Sequence, residues 1–327
     1  MTSRHLPLGL LLLTSLLACS SAATPPGDTS TTTATGGAGT SSGGAGGGGT
    51  GGGGASTGGA GGGVIGGDRP VTLHVSPLYD PDKPAPLLML LHGYGASSVL
   101  QEDYYFDLQT LADARGYVYA VPDGTRDATD KQFWNATDAC CNFAGSTVDD
   151  AAYLSGVIAQ IKAAYNIDPK RVHLVGHSNG GFMAYRLACD HAGEIASIVS
   201  LAGATFADDT KCQPTEPVAV AQIHGTLDET VAYAGGLFFG HPFPGAVETA
   251  QIWAAHDGCD STPEGGAPKD LVTSVAGVET SVSVFGKGCK PGGHVELWTV
   301  TGGTHIPSLT TEFRAAVFDF LEAHPKP

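Results

Sequence analysis

The apolar positions of residues 68–327 fall into short runs that alternate with segments of helical periodicity. Unbroken or alternating apolar runs predict strands, and apolar residues three or four positions apart predict helices. The predicted strands are 71–75 (an edge strand), 87–91, 117–121, 172–175, 195–201, 218–223, 281–285 and 295–300. The predicted helices are 106–115, 148–165, 179–191, 248–256 and 311–323. This alternation indicates an α/β fold with a mostly parallel central sheet, flanked by helices and without a large cap domain.

The first 67 residues have a different composition and predict export. Residues 1–18 carry Arg4 and an apolar run at 6–17, which is too short to span a bilayer and is typical of a signal peptide. The sequence Leu-Leu-Ala-Cys that ends at Cys19 resembles the lipobox of bacterial lipoproteins, whose cysteine is lipidated. Cleavage near Ala22 or Ala23 would instead give a freely secreted protein. We expect a lipoprotein of the cell surface or outer membrane, in which residues 19–67 form a disordered Gly/Ser/Thr-rich tether and 68–327 form the domain.

Net charge narrows the range of partners. The chain has 32 acidic and 16 basic residues and a formal net charge of −16. Nucleic acid is therefore excluded as a partner, because its phosphates require a basic face. Neutral polysaccharide or polyester surfaces remain acceptable, and we expect membrane contact only through a lipidated N-terminus.

Six cysteines follow Cys19, and an even number in an exported chain indicates disulfides. No C-x-x-C pair suggests a metal site, and we expect none. The expected pairs are Cys189–Cys212 and Cys259–Cys289, with Cys140–Cys141 left as a vicinal bridge. The vicinal pair would place two Cα atoms closer together than disulfides normally allow.

Residues 176–180, Gly-His-Ser-Asn-Gly, lie between a predicted strand and a predicted helix. They fit the G-x-S-x-G nucleophile elbow, in which a tight turn holds the serine hydroxyl above the sheet. The alternative is a glycine-rich turn whose serine caps the helix. The strand before the turn and the helix after it favour Ser178 as a nucleophile.

A nucleophilic serine requires a base, and the base requires an orienting carboxylate. Asp228 lies just beyond the strand at 218–223, and His305 lies beyond the strand at 295–300. Their order, Ser178, Asp228 and His305, is that of the α/β-hydrolase triad. His294 and His256 are weaker candidates for the base, and Asp257 is the second candidate for the acid. His92, His177 and His224 are expected to order loops by hydrogen bonds.

The backbone N–H groups of Tyr94 and Asn179 are the expected oxyanion donors, because Tyr94 follows a buried strand and Asn179 begins the helix after the nucleophile. Four aromatic residues near these loops are candidate substrate contacts, although they could equally pack beneath their loops: Trp134, Phe238, Phe239 and Phe243.

Four motifs together are similar to the polyhydroxybutyrate depolymerase/feruloyl esterase family of secreted α/β-hydrolases. They are L-H-G-x-G at 91–95, G-H-S-N-G-G-F-M-A-Y-R at 176–186, I-H-G-T-x-D at 223–228 and E-L-W-x-x-x-G-G-x-H at 296–305. The resemblance covers nearly all of 71–327 and implies the same triad and oxyanion donors. Two departures are visible. Tyr94 stands where many members have cysteine. The run at 304–307 replaces a glycine-histidine-tryptophan run, so the substrate of the family is not assumed for this chain.

The sequence therefore predicts a serine carboxylesterase that uses no metal or organic cofactor. Its substrate would be an ester on a polysaccharide or polyester, of the feruloyl or hydroxybutyrate type. The alternatives are an acetyl xylan esterase, a peptidase or acyltransferase on the same scaffold, and a non-catalytic carbohydrate-binding module.

Overall fold

The structure, a computed structural model, describes residues 64–327, so the predicted signal peptide, Cys19 and the tether up to residue 63 lie outside the described residues. Thirteen strands are present in the described chain: β1 (Thr72–Val75), β2 (Ala85–Leu91), β3 (Val118–Val121), β4 (Thr125–Arg126), β5 (Gln132–Phe133), β6 (Ile167–His177), β7 (Ser197–Leu201), β8 (Ala219–Gly225), β9 (Gly235–Phe238), β10 (His241–Pro244), β11 (Glu264–Gly265), β12 (Thr280–Phe285) and β13 (Val295–Val300). Six α-helices accompany them: α1 (Ser98–Gln101), α2 (Gln109–Ala114), α3 (Asp150–Ala164), α4 (Asn179–Asp190), α5 (Ala246–His256) and α6 (Thr311–Ala323).

Nine of these strands form one sheet in the order β1-β3-β2-β6-β7-β8-β13-β12-β11. The six strands from β3 to β13 run parallel, whereas at the two edges β1 pairs antiparallel with β3, β12 with β13 and β11 with β12. The predicted α/β fold with a mostly parallel sheet is thus confirmed, and so is the edge position of β1. Because the six parallel strands share one direction, the loops that follow them meet at one edge of the sheet.

Burial on both sheet faces explains the unbroken apolar runs. In β2, Leu87, Met89 and Leu91 pack into one core beneath α3, α4 and α5. Leu88 and Leu90 pack into a second core beneath α2 and α6. Successive strand residues point to opposite faces, so a strand covered on both sides needs an apolar residue at every position. Each fully buried leucine contributes about 1.5–3 kcal/mol.

Several predicted boundaries differ from the structure. The predicted helix at 106–115 is shorter, because a π-helical turn at Glu102–Phe106 ends at Asp107 with φ of 52° and α2 begins only at Gln109. The antiparallel pair β9 and β10 was not predicted, since its glycine and proline content is typical of a loop. Helix α6 and strand β13 match their predicted limits.

The six cysteines of the domain form three disulfides in the expected pairs: Cys140–Cys141, Cys189–Cys212 and Cys259–Cys289. The second joins the end of α4 to the segment before β8, and the third joins the end of α5 to the segment before β13. In the described part of the chain, no helix combines the length and apolarity that a membrane crossing requires.

Candidate active site

Ser178 occupies the sharp turn between β6 and α4. Its φ of 54° and ψ of −120° are unusual for a residue with a side chain and store roughly 1–3 kcal/mol of strain. The flanking glycines permit this turn: a Cβ on Gly176 would collide with the carbonyl group of Gly180, and a Cβ on Gly180 would collide with the carbonyl group of Leu91. The backbone N–H of Ser178 donates to Leu201 (2.8 Å) and fixes the turn to β7. The elbow therefore holds the hydroxyl at the carboxyl edge of the sheet.

The structure brings the three predicted catalytic side chains together. His305 Nε2 lies 2.9 Å from Ser178 Oγ, and His305 Nδ1 lies 2.8 Å from Asp228 Oδ2. Asp228 comes from the loop after β8 and His305 from the loop after β13, two neighbouring parallel strands. A carboxylate can only accept a hydrogen bond, so Nδ1 of His305 carries the proton and Nε2 offers its lone pair to the serine hydroxyl.

Asp228 is buried and ionised. Burial alone would raise its pKa, but the contact from His224 (Nε2 to Oδ2, 3.4 Å) and the hydrogen bond from His305 outweigh that effect. The backbone N–H groups of Thr230 and Val231 also donate to Oδ1, at 2.9 and 2.8 Å. These donors hold the pKa of Asp228 below its ordinary range. A charged carboxylate therefore faces the imidazole at neutral pH.

The loops that carry Asp228 and His305 are bound to each other. The N–H of Leu227 donates to the carbonyl oxygen of Gly303 (2.9 Å), and the N–H of Gly302 donates to Thr226 Oγ1 (2.9 Å). A Cβ on Gly225 would collide with the carbonyl group of Gly303. The distance between acid and base is thus set by direct contacts between the two loops.

His177, the residue before the nucleophile, binds the loop of His305. Its Nε2 lies 2.9 Å from the carbonyl oxygen of His305, and the two imidazole centroids are 5.1 Å apart. A carbonyl only accepts, so Nε2 of His177 carries the proton. Burial lowers the pKa of His177 to about 4, which keeps the ring neutral at neutral pH. The loop-ordering role expected for His177 therefore includes the loop of the base.

The two candidate oxyanion donors lie beside the nucleophile. Tyr94 borders the same cleft as Ser178, and a Cβ on the preceding Gly93 would come within 3.5 Å of Ser178 Cβ. Gly93 N–H is occupied by Gln101 Oε1 (3.0 Å), whereas within residues 64–327 the N–H groups of Tyr94 and Asn179 donate to no protein acceptor. Both donors are available to an external oxygen atom.

Trp134 connects the segments that carry these two donors. The Asn179 side chain accepts from Trp134 N–H (2.7 Å) and donates to the Trp134 carbonyl (2.9 Å). The indole Nε1–H donates to the carbonyl oxygen of His92 (3.1 Å). His92 in turn accepts from Gly124 N–H (2.8 Å), as expected of a loop-ordering histidine. Trp134 is fully buried, so the prediction that it contacts substrate is wrong.

A cleft of about 430 Å³ opens next to Ser178, and its walls are mostly apolar. Ile306, from the run at 304–307 that departs from the family pattern, lines it, and the lining residues that were not predicted from the sequence are Ala96, Leu100, Gln101, Tyr104, Tyr105 and Thr230. Most of them belong to α1 and the π-helical turn after it, where the only available signal was a cluster of apolar residues soon after the Gly-Tyr-Gly loop.

None of the three phenylalanines predicted as substrate contacts lines this cleft. Phe243 is buried, and Phe238 stacks on it with ring centroids 4.7 Å apart. Phe239 is exposed but lies outside the cleft. The three residues follow Asp228 in the sequence, but the direction in which each ring points depends on the hairpin of β9 and β10, which was not predicted.

The rival acid and bases lie elsewhere. Asp257 accepts from the N–H groups of Val218 and His294 (3.2 Å each), at the starts of β8 and β13 and thus at the opposite edge of the sheet. Burial raises the pKa of Asp257 to about 7. His256, at the end of α5, faces Asp209 at 3.1 Å. None of the three contacts Ser178.

Comparison with known proteins agrees with this fold. A family model described as the alpha/beta hydrolase fold matches residues 86–241. The chain is 30% identical to feruloyl esterase B of Piromyces equi over 233 residues, which is 68% of this chain and 40% of the relative. It is 32% identical over 149 residues to a bifunctional acetylxylan esterase/xylanase of Neocallimastix patriciarum, which is 46% of this chain and 20% of the relative. The chain thus spans two fifths or less of the length of these relatives.

A solved acetyl xylan esterase from Aspergillus awamori superposes with a TM-score of 0.53 at 14% identity, covering 77% of this chain and 93% of that one. At this identity the likeness shows the fold alone. Together these findings show that the chain has the α/β-hydrolase fold, and the relatives that it resembles in sequence are esterases.

Proposed function

We propose that this protein is an exported serine carboxylesterase that hydrolyses esters carried by a polysaccharide, of the feruloyl or acetyl type. The observation that supports it most directly is the continuous contact from Asp228 through His305 to Ser178, at 2.8 and 2.9 Å, beside an apolar cleft. The names of the relatives support the substrate class, since they are called feruloyl esterase and acetylxylan esterase/xylanase.

The proposed reaction follows from the geometry. Ser178 Oγ attacks the ester carbonyl carbon while its proton passes to His305 Nε2, and Asp228 stabilises the resulting imidazolium. The carbonyl oxygen becomes an oxyanion, which accepts hydrogen bonds from the backbone N–H groups of Tyr94 and Asn179. When the tetrahedral intermediate collapses, the imidazolium gives its proton to the departing alcohol and an acyl-serine remains. A water molecule deprotonated by His305 then attacks the acyl carbon and releases the acid and free Ser178.

The test of the reaction is hydrolysis of p-nitrophenyl acetate by the unaltered protein and by Ser178→Ala. We expect the substitution to lower kcat by a factor on the order of 10⁶. A fluorophosphonate probe should label the unaltered protein and fail to label the variant. Undiminished turnover by Ser178→Ala would show that another group attacks the ester.

The test of the substrate class is a panel of methyl ferulate, acetylated xylan, hydroxybutyrate oligomers and a peptide with a p-nitroanilide leaving group. We expect the highest kcat/KM on one of the two polysaccharide-type esters. Preference for the hydroxybutyrate oligomers would move the protein to polyester hydrolysis, and preference for the peptide would make it a peptidase.

We also propose that the domain is held at the cell surface through lipidated Cys19. The apolar run at 6–17, the Leu-Leu-Ala-Cys sequence and three disulfides support export and tethering. Metabolic labelling with a radioactive fatty acid should mark the unaltered chain but not Cys19→Ala. Equal labelling of both, or release of the unaltered chain into the medium, would refute the tether.

A further inference from the structure

A row of aromatic rings leads from the cleft across the surface of the domain. Tyr94 borders the cleft, and its ring meets Phe143 edge-on with centroids 5.4 Å apart. Phe143 meets Phe239 at 4.9 Å. Phe143 is 45% exposed and Phe239 is 82% exposed. These three residues, here called the aromatic ridge, form a continuous apolar surface that starts beside Ser178.

Phe239 occupies a position where folding alone would favour another residue. Phe239 and Gly240 form the two-residue turn between β9 and β10, with φ of 48° and 89°. Such turns favour asparagine, aspartate or glycine, because a bulky side chain at positive φ is strained. Phe238 anchors the hairpin by stacking on Phe243, so the exposed ring of Phe239 adds little to the core.

From this placement we infer that the aromatic ridge binds the neutral polysaccharide chain that carries the scissile ester. The inference rests on the proposed function, because the ridge is continuous with the cleft in which that ester would react. A polymer whose acyl group enters the cleft must lie on the surface next to it, and exposed apolar patches beside a site mark such contacts.

The chemistry around the ridge favours a hydroxyl-rich, uncharged chain. The formal net charge of −16 opposes polyanions. The C–H faces of sugar rings pack on aromatic rings, whose faces carry partial negative charge. Polar groups flank the ridge: Tyr94 Oη donates to Asp127 (2.6 Å), and Lys131 Nζ lies 5.4 Å from the Tyr94 ring centroid. Sugar hydroxyls can therefore find partners beside the rings.

The test compares a polymeric and a small ester. Phe239→Ala should lower kcat/KM on acetylated xylan roughly five- to tenfold while changing kcat/KM on p-nitrophenyl acetate less than about twofold. Phe143→Ala is the second variant. Leu78→Ala is the matched control. Leu78 is an exposed apolar residue too (66%), but it lies at the opposite edge of the sheet, because it follows Val75, which pairs with the first residue of β3. The control should lose activity on neither substrate.

Equal kcat/KM of Phe239→Ala and the unaltered protein on the polymer would overturn the inference, and so would an equal loss on both substrates. A loss confined to polyester films would identify a different occupant and also overturn it. Co-sedimentation with insoluble xylan tests the ridge independently of catalysis. The unaltered protein should be retained and Phe239→Ala released, even if p-nitrophenyl acetate is not hydrolysed and the proposed function fails.

Discussion

The hydrogen bond from His177 to the loop of His305 gives a prediction about catalysis that can be tested with two complementary substitutions. His177→Phe keeps an aromatic ring beside His305 but removes the N–H donor at 2.9 Å from the His305 carbonyl. His177→Gln removes the ring but carries an amide N–H that can reach the same carbonyl. We expect His177→Phe to lose turnover and His177→Gln to retain most of it.

The size of the effect follows from the kind of contact. The His177 ring is neutral, because burial lowers its pKa to about 4, and the acceptor is an uncharged carbonyl. A neutral hydrogen bond contributes about 0.5–1.5 kcal/mol. If that contribution holds His305 in the orientation that receives the proton of Ser178, its loss raises the barrier by about 1 kcal/mol, which is about fivefold in kcat. The difference between the two variants should lie in kcat, because the hydrogen bond is to the loop of the base, whereas both substitutions alter the part of the cleft wall that His177 forms.

The assay is the steady-state hydrolysis of p-nitrophenyl acetate at pH 8, with kcat and KM determined separately and thermal unfolding measured for each variant. A purely structural role would lower stability without distinguishing the two variants in kcat. The reasoning is refuted if His177→Phe keeps full kcat, or if His177→Gln loses as much kcat as His177→Phe while both remain folded.

Three further predictions concern the loops and the core. Asn179→Ala leaves the buried N–H of Trp134 without a partner and removes one of the two donors to the Trp134 carbonyl, so it should lower the free energy of unfolding by about 1–3 kcal/mol, measured by urea denaturation. Gly225→Ala forces the Asp228 and His305 loops apart at Gly303 and should lower kcat at least about tenfold, whereas an unchanged kcat would show that the close approach is not needed. The pKa of Asp257 is raised to about 7, above its unfolded value near 3.8, so between these pH values the folded chain binds one proton more than the unfolded chain. The free energy of unfolding should therefore fall by up to about 4 kcal/mol as pH rises through that window. Asp257→Asn should flatten this fall, and urea midpoints from pH 4 to 8 that decline equally in both proteins would contradict it.

The sheet and the triad could be predicted from the sequence because both depend on backbone direction. A strand buried on both faces must be apolar throughout, as in β2, and this pattern does not depend on the side-chain rotamers. Once the strands are known to be parallel, their carboxyl ends meet at one edge, so Ser178, Asp228 and His305 could be assigned to one place before any distance was known.

The cleft could not be predicted in the same way, because its walls come from short irregular segments. Tyr104 and Tyr105 lie in a π-helical turn, and no periodicity of apolar residues predicts such a turn. Trp134 shows the complementary difficulty. Its place near the nucleophile was foreseen, but whether an indole enters the cleft or the core depends on partners such as the His92 carbonyl, which the sequence does not reveal.

Gly302 and Gly303 precede His305, and two adjacent glycines give an unrestrained loop a wide range of backbone conformations. In the structure the same loop is held at three points: the Gly302 N–H, the Gly303 carbonyl and the His305 carbonyl all have hydrogen-bond partners. Gly302 has φ of 79°, which favours glycine. The glycines therefore allow two loops to approach closely and stay fixed, which is what proton transfer over a 2.9 Å contact requires.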